Sequence, residues 1–148
     1  ARAIGVECAL AGAVHFIIVN RSEDRGHELI ALLNDQTPAE AAFEKWDGEY
    51  FVPVETDVVI NATSIGLADA KACIELDTNS LAGNMVVADV IPNPPRTQLI
   101  RAAEDRGCQV LDGLGMLVNQ GITGIEYWTG ETVDGAVMRV RLEELFGR

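Results

Sequence analysis

The chain has 148 residues, a length that suits one ordinary domain better than two. Hydrophobic residues make up 48% and charged residues 23%, which is the balance of a folded globular protein and excludes a disordered one. The formal net charge of −12 argues against nucleic acid and anionic membrane as partners, because both attract basic surfaces. No apolar run approaches the roughly 20 residues that span a bilayer.

The cysteines and histidines give no metal-binding pattern. Cys8, Cys73 and Cys108 are odd in number and lack metal-ligand spacing, and His15 and His27 stand apart from them. Free thiols of this kind are typical of a reduced, cytoplasmic environment. The sequence therefore predicts a cytoplasmic protein without a metal site.

Along the chain, segments that favour helix alternate with short runs rich in Val and Ile. The first third predicts a helix over 1–11, a strand over 15–20, a helix capped by Ser22, a weak strand over 41–46 and an irregular connection over 46–55. The remainder predicts strands over 57–63, 85–91 and 109–111, and helices over 97–106, from Leu114 onward and over about 133–146.

This alternation predicts a doubly wound, Rossmann-like α/β domain over 1–148, with a parallel sheet covered by helices on both faces. Such folds open with a central strand and a glycine-rich turn. Here the chain starts inside the first predicted helix and without Met, so we expect the first strand to be missing from it. Its loss would expose the edges of the strands on either side.

The end of the strand over 15–20 carries a phosphate-binding pattern. In a doubly wound sheet this strand end lies beside the adenosine ribose, where NAD-selective enzymes place a carboxylate. Here Asn20 is neutral, and Arg21 and Arg25 offer planar donor groups that match phosphate oxygens. Ser22 adds a hydroxyl at a helix N-terminus, which also favours anions. The turn predicts NADP as the cofactor.

An alternative for the two arginines stays open at this stage. They can be solvated charges of a helix face that pair with Asp24 or Glu28. Glu23 and Asp24 also place negative charge close to the predicted phosphate position.

Three further blocks carry a family resemblance. They are NATSIGL over 61–67, DVIPNPPRT over 89–97 and DGLGMLVNQ over 112–120. Together with the Asn-Arg-Ser turn at 20–22, their order and spacing resemble the C-terminal domain of the shikimate dehydrogenase family over essentially the whole chain. The block over 112–120 is highly specific, whereas the Asn-Arg-Ser turn alone is not.

The resemblance implies an NADP-dependent oxidoreductase that interconverts 3-dehydroshikimate and shikimate, in chorismate and aromatic amino acid biosynthesis. It implies that Asn20, Arg21, Ser22 and Arg25 surround the adenosine 2′-phosphate. The other implied cofactor contacts are Asn61, Thr63, Ser64, Gly113, Met116 and Leu117, and the implied substrate contact is Gln120. Glycine backbone can approach a flat ring closely, and a glutamine amide both donates and accepts hydrogen bonds.

These residues also have purely structural interpretations. Asn61 and Thr63 can satisfy backbone groups at a strand end, Met116 and Leu117 can belong to the core, and Gln120 can be solvated. The proline-rich segment over 91–95 is interpreted as a rigid turn without a ligand.

In this family the catalytic Lys and Asp lie in an N-terminal domain that has no match here. We therefore predict no catalytic residue in this chain, and we expect that missing domain to be its main partner. The phosphate-binding glycine turn is also absent, and only Ala1-Arg2 resembles the residues after it. The piece alone is predicted to be inactive and to bind NADP poorly.

Pro92 departs from the family pattern, because many members carry Tyr at this point with its hydroxyl in reach of the substrate. This keeps quinate open as a substrate, and a quinate/shikimate dehydrogenase with relaxed substrate or NAD use is an alternative, although Arg21 and Arg25 argue against NAD. A non-catalytic nucleotide-binding module is a further alternative.

Overall fold

The structure is a computed structural model that describes residues 1–67, 69 and 71–146. In chain order the elements are α1 (Arg2–Leu10), β1 (His15–Asn20), α2 (Glu23–Gln36), β2 (Glu40–Lys45), β3 (Val58–Asn61), β4 (Val86–Asp89), α3 (Gln98–Asp105), β5 (Gln109–Leu111), α4 (Gly113–Thr129) and α5 (Gly135–Phe146). Every predicted helix and strand is present, with ends that differ by a few residues. A short 3₁₀ turn over Thr78–Ser80 was not predicted.

The elements fall into two compact units, Ala1–Tyr50 and Phe51–Arg148, and each has its own parallel sheet. In the first unit β1 pairs with β2 in a register that places Asn20 opposite Lys45. Helix α2 packs on both strands, and Leu33 on its inner face is fully buried. Helix α2 lies close to β2 at Gly26. A Cβ atom there would lie 2.3 Å from Cε2 of Phe43, so only glycine fits without movement of the ring.

In the second unit the three strands follow the order β3–β4–β5, all parallel. Helix α3 packs against β4 and β5. The core is aliphatic, and its most buried side chains are Leu81, Met85, Val87, Leu99, Ile100 and Leu114. Gly107, at φ +78° directly after the C-cap Arg106, ends α3 as the sequence predicted.

The prediction of an α/β fold with parallel strands is confirmed. Within the described ranges, β1 pairs only with β2, and β3 pairs only with β4, so each has one edge without a strand. The sequence predicted a strand missing from the middle of the sheet. That strand concerns residues before Ala1 and stays a prediction, as does the assignment of 1–148 to a single domain.

None of the helices in the described part of the chain combines the length and the apolar character that crossing a membrane requires. The same residues contain no group of three or more metal-ligating side chains.

Candidate functional site

The turn between β1 and α2 is held in shape by its own side chains. The backbone N–H of Ser22 donates to Oδ1 of Asn20 at 3.0 Å. The hydroxyl of Ser22 caps α2 by accepting a hydrogen bond from the backbone N–H of Arg25 at 3.4 Å. The side chains of Asn20 and Ser22 therefore fix the backbone on which Arg21 and Arg25 are carried.

Arg21 and Arg25 are exposed and form no ion pair with any described residue. Glu28 is bound instead by Arg2, at 2.8 Å. Glu23 is bound by Lys45, also at 2.8 Å. The sequence left open that Arg21 and Arg25 are paired with neighbouring carboxylates, and the structure does not show that pairing. Both guanidinium groups are available to an anion.

The pair between Lys45 and Glu23 joins the end of β2 to the first turn of α2. The hydrogen bond from Lys45, followed by its charge, lowers the pKa of the Glu23 carboxyl. The same contact raises the pKa of the Lys45 ammonium group. This ion pair was not predicted from the sequence.

At the end of β3, Asn61 and Thr63 direct their side chains into the protein. Oδ1 of Asn61 accepts hydrogen bonds from the backbone N–H of Thr63 at 3.1 Å and from its hydroxyl at 2.8 Å. The Thr63 hydroxyl also accepts from the backbone N–H of Ile65 at 3.1 Å. These contacts match the structural alternative for both residues, and their contact with a cofactor stays a prediction. Ser64, in the same turn, is exposed.

Asp89 is a buried residue to which the sequence analysis gave no role. It is 3% exposed, and its Oδ1 accepts hydrogen bonds from Nδ2 of Asn61 and from the backbone N–H of Ile91, both at 3.1 Å. Its Oδ2 accepts from the hydroxyl of Thr97 at 2.8 Å, and Thr97 in turn caps α3. One carboxylate thus ties the ends of β3 and β4 to the start of α3. The signal in the sequence was an aspartate at a strand end followed by a threonine at a helix start.

The start of α4 lies against the backbone that follows β4. A Cβ atom on Gly113 would lie 2.3 Å from the carbonyl oxygen of Ile91 and 2.7 Å from the nitrogen of Pro92, so a larger residue does not fit. The family resemblance implied that Gly113 contacts the cofactor, with its backbone close to a flat ring. The observed approach is to the protein's own backbone, and the ring contact stays a prediction.

Asp112 caps α4 and binds α5. Its Oδ1 accepts from the backbone N–H of Gly115 at 3.1 Å, and the two terminal nitrogens of Arg139 reach its carboxylate at 3.2 and 2.5 Å. Partial burial, the largest single influence, acts to raise the pKa of Asp112. The hydrogen bonds from Arg139 and from backbone N–H groups outweigh it, so the pKa is lowered.

The remaining predicted residues lie on α4. Met116 is 36% exposed, Gln120 is exposed and Leu117 is half-buried. Met116 and Gln120 are one turn apart and so share a helix face. The predicted site residues form two groups: those at 20–25 belong to the first unit, and those at 61–64 and 113–120 belong to the second.

The sequence is similar to those of known proteins. Residues 113–143 match the family model described as the Shikimate 5'-dehydrogenase C-terminal domain. A shikimate dehydrogenase (NADP(+)) from Archaeoglobus fulgidus is 39% identical over 123 residues, which are 83% of this chain and 45% of that protein. The chain spans about half the length of the curated relatives it matches.

Two solved structures are similar over nearly the whole chain. The ligand-free 5-ketofructose reductase of Gluconobacter sp. strain CHM43 is 52% identical with a TM-score of 0.94, covering 98% of this chain and 52% of that one. The shikimate 5-dehydrogenase from Listeria monocytogenes, in complex with shikimate and NAD, is 26% identical with a TM-score of 0.78, covering 98% and 51%. By sequence and fold, the chain belongs to the shikimate dehydrogenase family and corresponds to its C-terminal domain.

Proposed function

We propose that this chain is the NADP-binding domain of an oxidoreductase that reduces a ketone of a hydroxylated small molecule. The observation that carries the proposal is the pair of exposed guanidinium groups of Arg21 and Arg25, which form no ion pair with a described residue, on a turn held by Asn20 and Ser22. When bound, NADPH supplies the hydride that such a reduction transfers to the carbonyl carbon.

The chemistry of the turn supports NADP over NAD. Two planar guanidinium groups can donate several charge-assisted hydrogen bonds to one phosphate dianion. The N-terminus of α2 adds backbone N–H groups and the positive end of the helix dipole. Asn20, whose side chain is occupied by the N–H of Ser22, brings no negative charge to the strand end. The name of the Archaeoglobus relative agrees with this preference.

Arg21→Ala is expected to weaken NADP binding by about 1–3 kcal/mol, because charge-assisted hydrogen bonds to the 2′-phosphate are lost. NAD lacks that phosphate, so its dissociation constant should change little. Isothermal titration calorimetry of the full-length protein with each cofactor measures both dissociation constants. Arg101→Ala, at an exposed position on α3, is the control and should leave both cofactors unaffected. Equal losses for NADP and NAD in Arg21→Ala would contradict the assignment.

The substrate we favour is a keto sugar of the 5-ketofructose type. The support is the 52% identity with the Gluconobacter reductase over 98% of the chain, which exceeds the 39% identity with the Archaeoglobus shikimate dehydrogenase. Pro92 agrees with it, because a proline offers no hydroxyl where many shikimate-specific members carry one.

A second candidate substrate is 3-dehydroshikimate. The curated relatives bear the name shikimate dehydrogenase, and the block over 112–120 that contains Gln120 matches that family. The exposed amide of Gln120 can donate to and accept from ring hydroxyls of either substrate. Measurements of turnover with each candidate substrate distinguish between them.

The experiment follows NADPH oxidation by the full-length protein with 5-ketofructose and with 3-dehydroshikimate, and tests the reverse reaction with quinate. A kcat/KM for 5-ketofructose at least tenfold above that for 3-dehydroshikimate is expected. A kcat/KM that is at least tenfold higher for 3-dehydroshikimate would identify the protein as a shikimate dehydrogenase. Turnover of none of the three, together with tight NADP binding, favours the non-catalytic nucleotide-binding module.

A further inference from the structure

We infer that Lys45 is a specificity-determining residue for NADP that acts through Glu23, a role that rests on the proposed cofactor. Lys45 ends β2 and lies opposite Asn20 in the parallel register, so it stands at the same edge of the sheet as the predicted phosphate turn. Its ammonium group binds Oε1 of Glu23 at 2.8 Å.

Glu23 is one of two carboxylates, with Asp24, in the first turn of α2, and its charge opposes a phosphate at this turn. It is the first residue of α2 and lies two positions after Arg21 in the chain. Like charges a few ångströms apart repel, and in doubly wound folds a carboxylate beside the adenosine ribose favours NAD over NADP. Left alone, Glu23 would offset part of the attraction that Arg21 and Arg25 exert on the 2′-phosphate.

The contact with Lys45 removes this conflict in two ways. It places a full positive charge against the carboxylate, and it orients the carboxylate toward the end of β2. The lowered pKa of Glu23 and the raised pKa of Lys45 reflect the same contact. Both side chains are more than half exposed, so the pair contributes little to folding and its replacement is tolerated.

The test is a double-mutant cycle in the full-length protein, with dissociation constants for NADP and NAD as readouts. Lys45→Met is expected to weaken NADP binding roughly three- to tenfold, because a nearby uncompensated carboxylate then faces the phosphate. NAD binding should change less than about twofold, and the NADP loss should shrink at about 0.5 M salt, where charges are screened beyond a few ångströms. Glu23→Gln in the Lys45→Met background should restore NADP binding, and Lys45→Arg should retain it.

The control is Arg141→Met, which removes a similarly exposed ion pair with Glu144 on α5 and should leave both cofactors unaffected. Unchanged NADP preference in Lys45→Met would overturn the inference. A Lys45→Met defect that Glu23→Gln does not rescue would overturn it too, since Lys45 would then contact the phosphate itself. If the wild-type protein shows no preference for NADP over NAD, the proposal of NADP as cofactor is wrong. The wild-type measurement thus tests the proposed function, and the variants test the role of Lys45.

Discussion

Gly113→Ala is expected to destabilise the protein by roughly 3 kcal/mol or more, the upper range for overpacking in a tight interior. The added methyl group would lie 2.3 Å from the carbonyl oxygen of Ile91, and backbone cannot rotate away as a side chain can. Relief requires α4 to move away from the segment after β4. Because Met116 and Gln120 are carried on α4, the same shift would displace the predicted substrate side of the site.

Gly115→Ala is the matched control for this change. It lies two residues further along the same helix, and a Cβ atom there would have its nearest neighbours at 3.8 and 3.9 Å, which is ordinary contact. Alanine favours helix over glycine by about 1 kcal/mol, so this variant should be neutral or slightly more stable. Urea unfolding of both variants in the full-length protein measures the difference. A Gly113→Ala protein as stable as Gly115→Ala would show that the start of α4 is not confined by Ile91.

Asp89→Ala is expected to lower the free energy of unfolding by about 3–5 kcal/mol. The substitution removes the acceptor of three buried donors, on Asn61, Ile91 and Thr97, and donors left without a partner in the interior are costly. The turn after β3 and the start of α3 would both lose their anchor. Thermal unfolding, read with hydrogen exchange at the amide of Ile91, measures the loss of stability and its location.

Asp89→Asn provides the comparison. It keeps the shape of the side chain and one carbonyl acceptor, so we expect the free energy of unfolding to fall by only about 1 kcal/mol. A similar small loss for both variants would mean that the carboxylate does not organise the strand ends. A large loss for Asp89→Ala alone supports its anchoring role.

The fold could be predicted well from the sequence because its signals are local. Ser22, Thr97 and Asp112 each cap the helix that follows them, and Ser22 was recognised as a cap from its position between a strand and an apolar stripe. The short runs of Val and Ile marked β3 and β4, since such runs are typical of buried parallel strands.

The contacts that organise the site could not be predicted in the same way, because they join residues far apart in the chain. Asp89 meets Asn61 across 28 positions, and Arg139 meets Asp112 across 27. The Lys45–Glu23 pair depends on the register of β1 and β2, which the sequence does not specify by itself. The close packing of Gly113 on the backbone of Ile91 likewise joins residues that are distant in the chain.

A structure of the full-length protein with NADP bound tests the central claim most directly. The account predicts that guanidinium nitrogens of Arg21 and Arg25 lie within about 3.2 Å of oxygens of the adenosine 2′-phosphate. It also predicts that Lys45 stays on Glu23 in that complex. A 2′-phosphate held by other residues, with Arg21 and Arg25 both turned to solvent, would contradict it.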